Sequence, residues 1–285
     1  MIGALAGVTI ATPDLDDAIA AYATYLGYSG ATGAVDAALA ERLGAPGVAG
    51  NRMATLYPES GEECFIRLVE AAPAPGYRPL TTYGWNAAEL IVQDLDALAA
   101  RLAGSPFAII GPPATLDFDF TDKIRAMQVV GPSGEVLYLT EVTGPVPGFA
   151  LPEPLSFVGR IFVAILGVAD LDTWGAAASA TLGLPAGPRF AARIEVVSDA
   201  LGCPRDERHA LTTVALEQAT LIEVDAFPTT ATRRTAGLDG LLPGIAMTSF
   251  FAKDTAVSPD GHGGTRAMLL DQAMFELIDA KAGKK

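Results

Sequence analysis

The sequence VTIATPDLD at residues 8–16 recurs as AILGVADLD at residues 164–172. In both copies a β-branched or apolar run ends in Asp-Leu-Asp, and an alanine-rich segment then leads to Leu-Gly. Asp14 corresponds to Asp170, 156 residues later, and the two Leu-Gly pairs are separated by the same distance. A constant offset over such a length indicates that the chain consists of two similar halves.

Shorter copies of the same phrase divide each half again. They are LIVQDLD at residues 90–96 and AMTSFFAKD at residues 246–254. The crossing between the halves is rich in proline and glycine, which is typical of a linker. We therefore predict a first domain at 1–148, with modules 1 and 2, and a second domain at 155–285, with modules 3 and 4.

Each module is predicted to have the order β-α-β-β-β. In module 1, Val8 to Thr12 is β-branched and predicts a strand. Asp14 then stands at the N-cap of a helix, and Gly27 suits the position after its C-terminus. Module 4 has only about twenty residues between Lys253 and its final strand, and these include a glycine-rich run at 258–264. We predict that this loop replaces the helix, so that module 4 is degraded.

Composition excludes several classes of protein. The 285 residues are 50% hydrophobic and 18% charged, which is enough apolar material for a packed core. The net charge of −14 argues against binding to nucleic acid or to an anionic membrane. Two cysteines suit a reducing compartment, and no run of residues reads as a membrane span or a signal peptide. We expect a cytoplasmic protein, either a monomer or a homodimer, whose partner is a small molecule.

The repeat resembles the vicinal oxygen chelate superfamily, which includes glyoxalase I, bleomycin-resistance proteins and extradiol dioxygenases. The features that carry the resemblance are the strand ending in Asp-Leu-Asp, the helix ending in Leu-Gly, and Gly-Pro-Ser-Gly at residues 131–134 before a final strand. The resemblance implies an α+β fold in which tandem βαβββ modules form two curved mixed sheets. It does not fix the reaction, because one fold can support many activities.

The resemblance also implies where a metal would bind: a His or Gln seven residues before the module's aspartate, and a Glu on the last strand. The first positions hold Gly7, Ala87, Val163 and Met247, none of which is a suitable ligand for a divalent ion. The last-strand positions hold Arg67, Tyr138, Glu223 and Glu276. Neither histidine, His209 or His262, falls at a ligand position. We therefore predict no metal and no cofactor.

The last-strand residues of the first half are candidates for holding a ligand. Arg67 carries a planar guanidinium that is suited to a carboxylate or an enolate, and Tyr138 can donate its phenol to the same group. Thr9 is predicted to lie beside them as a ligand-binding residue. The alternatives are a solvent-facing or ion-paired Arg67 and a core tyrosine.

Three glutamates are the remaining candidates. Glu89 shares a strand face with Ala87, so in an apolar bowl its pKa would rise and it could act as a general base. Its alternative role is a structural ion pair with Arg67. Glu223 and Glu276 are either ligand-binding residues or remnants that face solvent.

Three functional hypotheses follow. The first is a metal-independent lyase or isomerase that moves a proton on a small aromatic or apolar anion, with Arg67 and Tyr138 holding an oxyanion and Glu89 as base. The second is a protein that binds or sequesters a small molecule without chemistry. The third is a metal-dependent enzyme with unusual ligands.

Overall fold

The computed structural model describes residues 2–252 and 265–279, and the predicted glycine-rich loop at 258–264 and His262 lie outside these ranges. The strands are β1 (Ile2–Thr12), β2 (Ser29–Ala34), β3 (Arg52–Tyr57), β4 (Phe65–Glu70), β5 (Gly84–Val92), β6 (Ala108–Thr115), β7 (Ile124–Val130), β8 (Val136–Val142), β9 (Val158–Val168), β10 (Arg189–Arg193), β11 (Arg208–Ala215), β12 (Leu221–Ala226), β13 (Gly244–Ala252), β14 (Arg266–Leu270) and β15 (Ala273–Ile278). The α-helices are α1 (Leu15–Ala21), α2 (Ala37–Arg42), α3 (Leu95–Leu102), α4 (Leu171–Leu182) and α5 (Glu195–Leu201).

The helix of each of the first three modules begins at the predicted aspartate. The aspartate side chain accepts a hydrogen bond from the backbone N–H three residues later, at 3.0 Å for Asp14, 2.9 Å for Asp94 and 2.7 Å for Asp170. This bond pairs an N–H that the helix itself leaves free. After α1 the chain continues as one π-helical turn at Tyr22–Leu26 and ends at Gly27, whose φ of 71° is left-handed. Both predicted ends of this helix are confirmed.

The strands form two curved mixed sheets, as predicted. The seven-stranded sheet has the order β14-β15-β13-β1-β4-β3-β2, and the eight-stranded sheet has the order β10-β11-β12-β9-β5-β8-β7-β6. The first sheet therefore joins module 1 to module 4, and the second joins module 2 to module 3. We predicted one domain at 1–148 and another at 155–285. Each sheet contains strands from both of these ranges, because it takes one module from each half of the sequence.

One apolar core lies between the sheets and is shared by both. It contains the buried residues of α1, α3 and α4 together with alternate residues of the central strands. Trp85 of β5 is at its centre, where its ring lies 4.8 Å from Phe275 and 6.1 Å from Phe250. Each sheet has one face against this shared core and one face away from it. Below, the face against the shared core is called the outer face of the sheet, and the face away from it is called the inner face.

The inner faces of the two sheets are covered differently. On the seven-stranded sheet, Leu39 of α2, Leu43 at the end of this helix, and Leu241 pack directly onto the strands and fill the face. On the eight-stranded sheet, Val196 and Val197 of α5 cover only part of the face. The rest of the eight-stranded inner face is open to a cavity.

The sequence Leu-Gly-x-Pro occurs at the end of both helices, as LGAP at residues 43–46 and as LGCP at residues 201–204. Gly44 follows α2 with a φ of 65°, and Gly202 follows α5 with a φ of 72°. These left-handed conformations favour glycine and stop each helix. Helices α2 and α5 are thus corresponding elements of modules 1 and 3.

Candidate functional site

All four modules place their predicted site residues in one register. The last strand of each module pairs with its first strand so that the predicted residue lies opposite a fixed partner. The pairs are Thr9 with Arg67, Glu89 with Tyr138, Ile165 with Glu223, and Ser249 with Glu276. This confirms the register that was inferred from the repeat.

The sheets nevertheless distribute these residues into two separate groups. Arg67 and Glu276 lie on the inner face of the seven-stranded sheet, while Glu89, Tyr138 and Glu223 lie on that of the eight-stranded sheet. The predicted constellation, in which Arg67 and Tyr138 hold an oxyanion beside Glu89, is therefore not assembled. The reason is that module 1 pairs with module 4 and not with module 2.

Arg67 belongs to a closed ion cluster. Its Nη1 donates to Glu276 Oε2 at 3.2 Å and to Thr9 Oγ1 at 3.1 Å. Arg42 Nε donates to Glu276 Oε1 at 2.9 Å, and Ser249 Oγ donates to Oε2 at 2.6 Å. Burial alone would raise the pKa of Glu276, but Arg67, Ser249 and Arg42 together bring it below its ordinary value.

This cluster agrees with the alternative in which Arg67 forms a structural ion pair. The partner is Glu276 and not Glu89. Glu276 is fully buried and takes the place in the ion pair that was assigned to Glu89. Since α2 packs over the same inner face, Arg67 contacts Thr9 and Glu276, and none of the three lines the cavity of the eight-stranded sheet.

The inner face of the eight-stranded sheet forms the floor of a cavity of about 600 Å³. Glu89, Tyr138 and Glu223 line it, so three of the six predicted site residues meet at one place. Apolar side chains from β6, β9, α5 and the crossing segment form much of its wall, among them Ile110, Val163, Val196 and Leu151. A volume of this size accommodates a small organic molecule.

Glu89 has the properties expected of a carboxyl group in an apolar bowl. Its side chain is buried, and Thr140 Oγ1 donates a hydrogen bond to its Oε1 at 2.6 Å. Burial raises the pKa of Glu89 to about 7, although the bond from Thr140 acts in the opposite direction. Burial also raises the pKa of the neighbouring Tyr138 well above its usual value, so the phenol stays protonated.

A further acidic residue, Asp225, was missed by the sequence analysis. It follows Glu223 by two residues on β12 and is buried, and its Oδ1 has no hydrogen-bond partner in the described part of the chain. Burial and the charge of Glu89 raise the pKa of Asp225 to about 7. Burial, followed by the charges of Asp225 and Glu89, raises the pKa of Glu223 well above its ordinary value. The spacing of two carboxylates in the apolar strand LIEVDA was the signal that could have revealed the pair.

Aromatic side chains close the cavity on the side away from the sheet. Phe118 and Phe120 stack with ring centres 5.1 Å apart, and Phe120 stacks on Phe149 at 5.7 Å. Phe190 of β10 completes the group at 5.4 Å from Phe120. Phe149 comes from the crossing segment between the halves, so this segment contributes to the cavity wall as well as linking the modules.

The residues present do not fit a divalent metal at the positions that the resemblance implies. Glu276 already pairs with two guanidinium groups, and in the part of the chain that the structure describes no imidazole is among the charged groups that act on Glu223. Within residues 2–252 and 265–279, no three His, Cys, Asp or Glu side chains are arranged to hold a metal ion. His209 instead forms a buried hydrogen bond through Nε2 with Ser198 Oγ at 2.8 Å, and burial lowers its pKa. The absence of a metal stays a prediction.

No helix in the described ranges is both long and apolar enough to cross a membrane. No protein-family model matches the sequence, and no curated protein matches it. The chain is similar in structure to glyoxalase I from Zea mays, with a TM-score of 0.58 and 15% identity over 97% of this chain and 92% of that one. It is also similar to a putative dioxygenase from Bacillus subtilis subsp. subtilis str. 168, with a TM-score of 0.61 and 13% identity over 98% of this chain and 85% of that one. The chain therefore has the two-sheet fold of glyoxalase I, which is the fold of the vicinal oxygen chelate superfamily.

Proposed function

We propose that this protein binds a small, largely apolar or aromatic organic molecule in the cavity of the eight-stranded sheet. The observation that carries the proposal is the contrast between the two inner faces. One is filled by α2, while the other keeps an open volume of about 600 Å³ with few polar groups at its floor. A few polar groups in an otherwise apolar concavity are typical of a small-molecule site.

The proposal does not include the predicted anionic substrate. That prediction required the guanidinium of Arg67 in the cavity, and Arg67 contacts Glu276 on the other sheet. Independence from metal remains part of the proposal, since the polar groups that line the floor in the described residues are carboxyl groups, a phenol, the amide of Gln128 and the hydroxyl of Thr213, and none is an imidazole.

Filling the mouth of the cavity is expected to block binding. Ala114 on β6 lines the cavity and is exposed, so Ala114→Trp places an indole in the opening with little effect on the core. The neutral dye prodan is expected to bind the wild-type protein with a blue shift in emission, and Ala114→Trp is expected to weaken binding at least about tenfold.

Ala108→Trp is the matched control for this experiment. Ala108 is an exposed alanine of the same strand that does not line the cavity, so its replacement adds the same indole elsewhere. Equal loss of dye binding in both variants, or in neither, would contradict the proposed location of the site.

A second candidate function is proton transfer, with Glu89 as general base. It is favoured by one observation, a cavity-lining carboxyl group whose pKa of about 7 matches neutral conditions. Tyr138, opposite Glu89 in the strand register, would be the proton donor. Against it, no cation lines the floor of the cavity to stabilise a developing oxyanion, as far as the structure describes the chain.

Hydrogen–deuterium exchange on the bound dye separates the two candidates. Prodan has acidic protons beside its ketone, and a proton-transfer site would exchange them in D₂O about a hundredfold faster than the Glu89→Gln variant. A binding protein would leave the exchange at the rate of free dye in both proteins. Mass spectrometry measures the exchange, and dye titration of Glu89→Gln verifies that the variant still binds.

A further inference from the structure

We propose that the cavity selects a ligand with a positive charge, an organic ammonium or amidinium group joined to an aromatic or apolar body. This inference rests on the proposed function, because it names the class of molecule that the same cavity takes. It is carried by three features of the cavity: its floor, its rim and its aromatic wall.

The floor has acidic groups without counter-charge. Glu89 and Glu223 line it, and Asp225 lies close enough to interact with both. Glu223 has neither a hydrogen bond nor an ion pair in the part of the chain that the structure describes, and Asp225 Oδ1 has no hydrogen-bond partner there. Buried polar atoms in folded proteins are normally paired, so the buried Asp225 Oδ1 lacks a partner, while the half-buried carboxyl group of Glu223 faces the cavity and can contact a bound molecule directly.

A cation is the partner that these groups favour. An opposite charge within about 4–6 Å stabilises the ionised form of a carboxyl group and offsets the effect of burial. Binding of an anion would be disfavoured, because its charge would have to be buried beside carboxyl groups.

The rim does not supply the missing positive charge. The basic residues that line the cavity in the described ranges are Arg193 and Arg205, and both are at the exposed rim. Arg193 Nε lies 3.4 Å from Asp117, and Arg205 Nη2 lies 2.6 Å from Asp199. Each guanidinium is thus already paired with a carboxylate outside the floor.

The wall suits a cation with an apolar body. The group of Phe118, Phe120, Phe149 and Phe190 presents ring faces and edges to the cavity. A cation over an aromatic face is stabilised by the ring quadrupole, and the effect is stronger when the cation is desolvated. The aromatic wall and the acidic floor therefore favour the same ligand charge.

A series of three naphthalene probes of similar shape tests the inference by calorimetric titration. The probes are 1-naphthylmethylamine, a cation at neutral pH, the neutral 1-naphthylmethanol, and the anionic 1-naphthoate. We expect the amine to bind at least about tenfold more tightly than the alcohol, and the naphthoate to bind more weakly than either. Glu223→Gln is expected to lower the affinity for the amine about tenfold and to leave that for the alcohol unchanged.

Glu41→Gln is the matched control. Glu41 of α2 is exposed and does not line the cavity, so the variant removes the same charge away from the site, and the preference for the amine should persist. Equal affinity for amine and alcohol, or tighter binding of the naphthoate, would overturn the cationic class while leaving the proposed function standing. Failure of all three probes to bind the wild-type protein would instead count against the proposed function. Stoichiometric binding of Mn²⁺ or Zn²⁺ alone, lost in Glu223→Gln, would overturn the inference by showing a metal site at the floor.

Discussion

The free energy of unfolding is expected to fall as the pH rises from about 4.5 to about 7. Burial raises the pKa of Glu89, of Glu135 and of Asp225 to about 7 in the folded protein. In the unfolded chain these groups release their protons near their ordinary pKa values, so the folded state binds more protons across this interval. The stabilisation is complete below the unfolded pKa and is lost as the pH passes through the folded pKa.

The expected loss in the free energy of unfolding is a large fraction of the total stability of a domain. A carboxyl group whose pKa rises from its ordinary value to about 7 contributes about 3 kcal/mol. A whole domain is stable by only about 5–15 kcal/mol. His209 acts in the opposite direction, because burial lowers its pKa, and it reduces the net change. Glu276, which pairs with two arginines, has a lowered pKa, so its contribution to stability is lost only at more acidic pH.

Urea denaturation at pH 5 and at pH 8 measures the loss, which should be at least about 3 kcal/mol. Glu135 offers a variant outside the cavity, since it accepts a hydrogen bond from Tyr22 Oη at 2.7 Å at a distant turn. The glutamine in Glu135→Gln cannot ionise. The variant is therefore expected to show a smaller difference in the free energy of unfolding between pH 5 and pH 8, reduced by the contribution of one carboxyl group. Stability that is constant or rises over this interval would contradict the prediction.

Removal of the Glu276 carboxylate is expected to destabilise the fold by about 3–5 kcal/mol. Glu276→Ala leaves Arg67 and Arg42 without their shared partner, while only 12% and 24% of their side chains are exposed. An uncompensated charge at a buried position is costly, whereas replacing both partners by apolar residues is often nearly neutral. The double variant Arg67→Met with Glu276→Met should therefore lose less stability than the sum of its single variants.

Asp16→Ala is the control for this experiment. Asp16 pairs with Arg52 on the surface, where 72% and 52% of the two side chains are exposed, so its removal should leave the free energy of unfolding nearly unchanged. Arg67→Ala should leave prodan binding unchanged, because Arg67 does not line the cavity. A loss of dye binding in a stably folded Arg67→Ala protein would contradict this expectation and show that Arg67 contributes to the binding site.

The repeat in the sequence predicts positions along each module very well. Asp14, Asp94 and Asp170 all cap helices as expected, and the last-strand residues all lie opposite corresponding partners. These features depend on local chemistry and on the alternation of side chains along a strand, both of which a single segment of sequence records.

The pairing between modules could not be predicted in the same way. The apolar first strands β1, β5, β9 and β13 all follow the same plan, so no local pattern says which of them lie side by side. The choice depends on contacts across the shared core, such as those of Trp85 of module 2 with Phe250 and Phe275 of module 4. The alternative in which Arg67 forms a structural ion pair therefore named Glu89 as the partner, whereas the partner is Glu276. Asp225 was missed for another reason, since one position on each last strand was considered and its neighbour on the same face was not.

The pairing of module 1 with module 4 also has a consequence during synthesis of the chain. The strands of modules 2 and 3 follow one another directly, so β5 meets β9 soon after both have left the ribosome. Strand β1 is buried along its whole length in the finished protein, yet one of its edges pairs with β13, which is translated more than 230 residues later. Until then an apolar strand edge remains open, and such edges are prone to pair with other chains. We therefore expect the β13-facing edge of the N-terminal strand to stay unpaired for most of the time that translation takes.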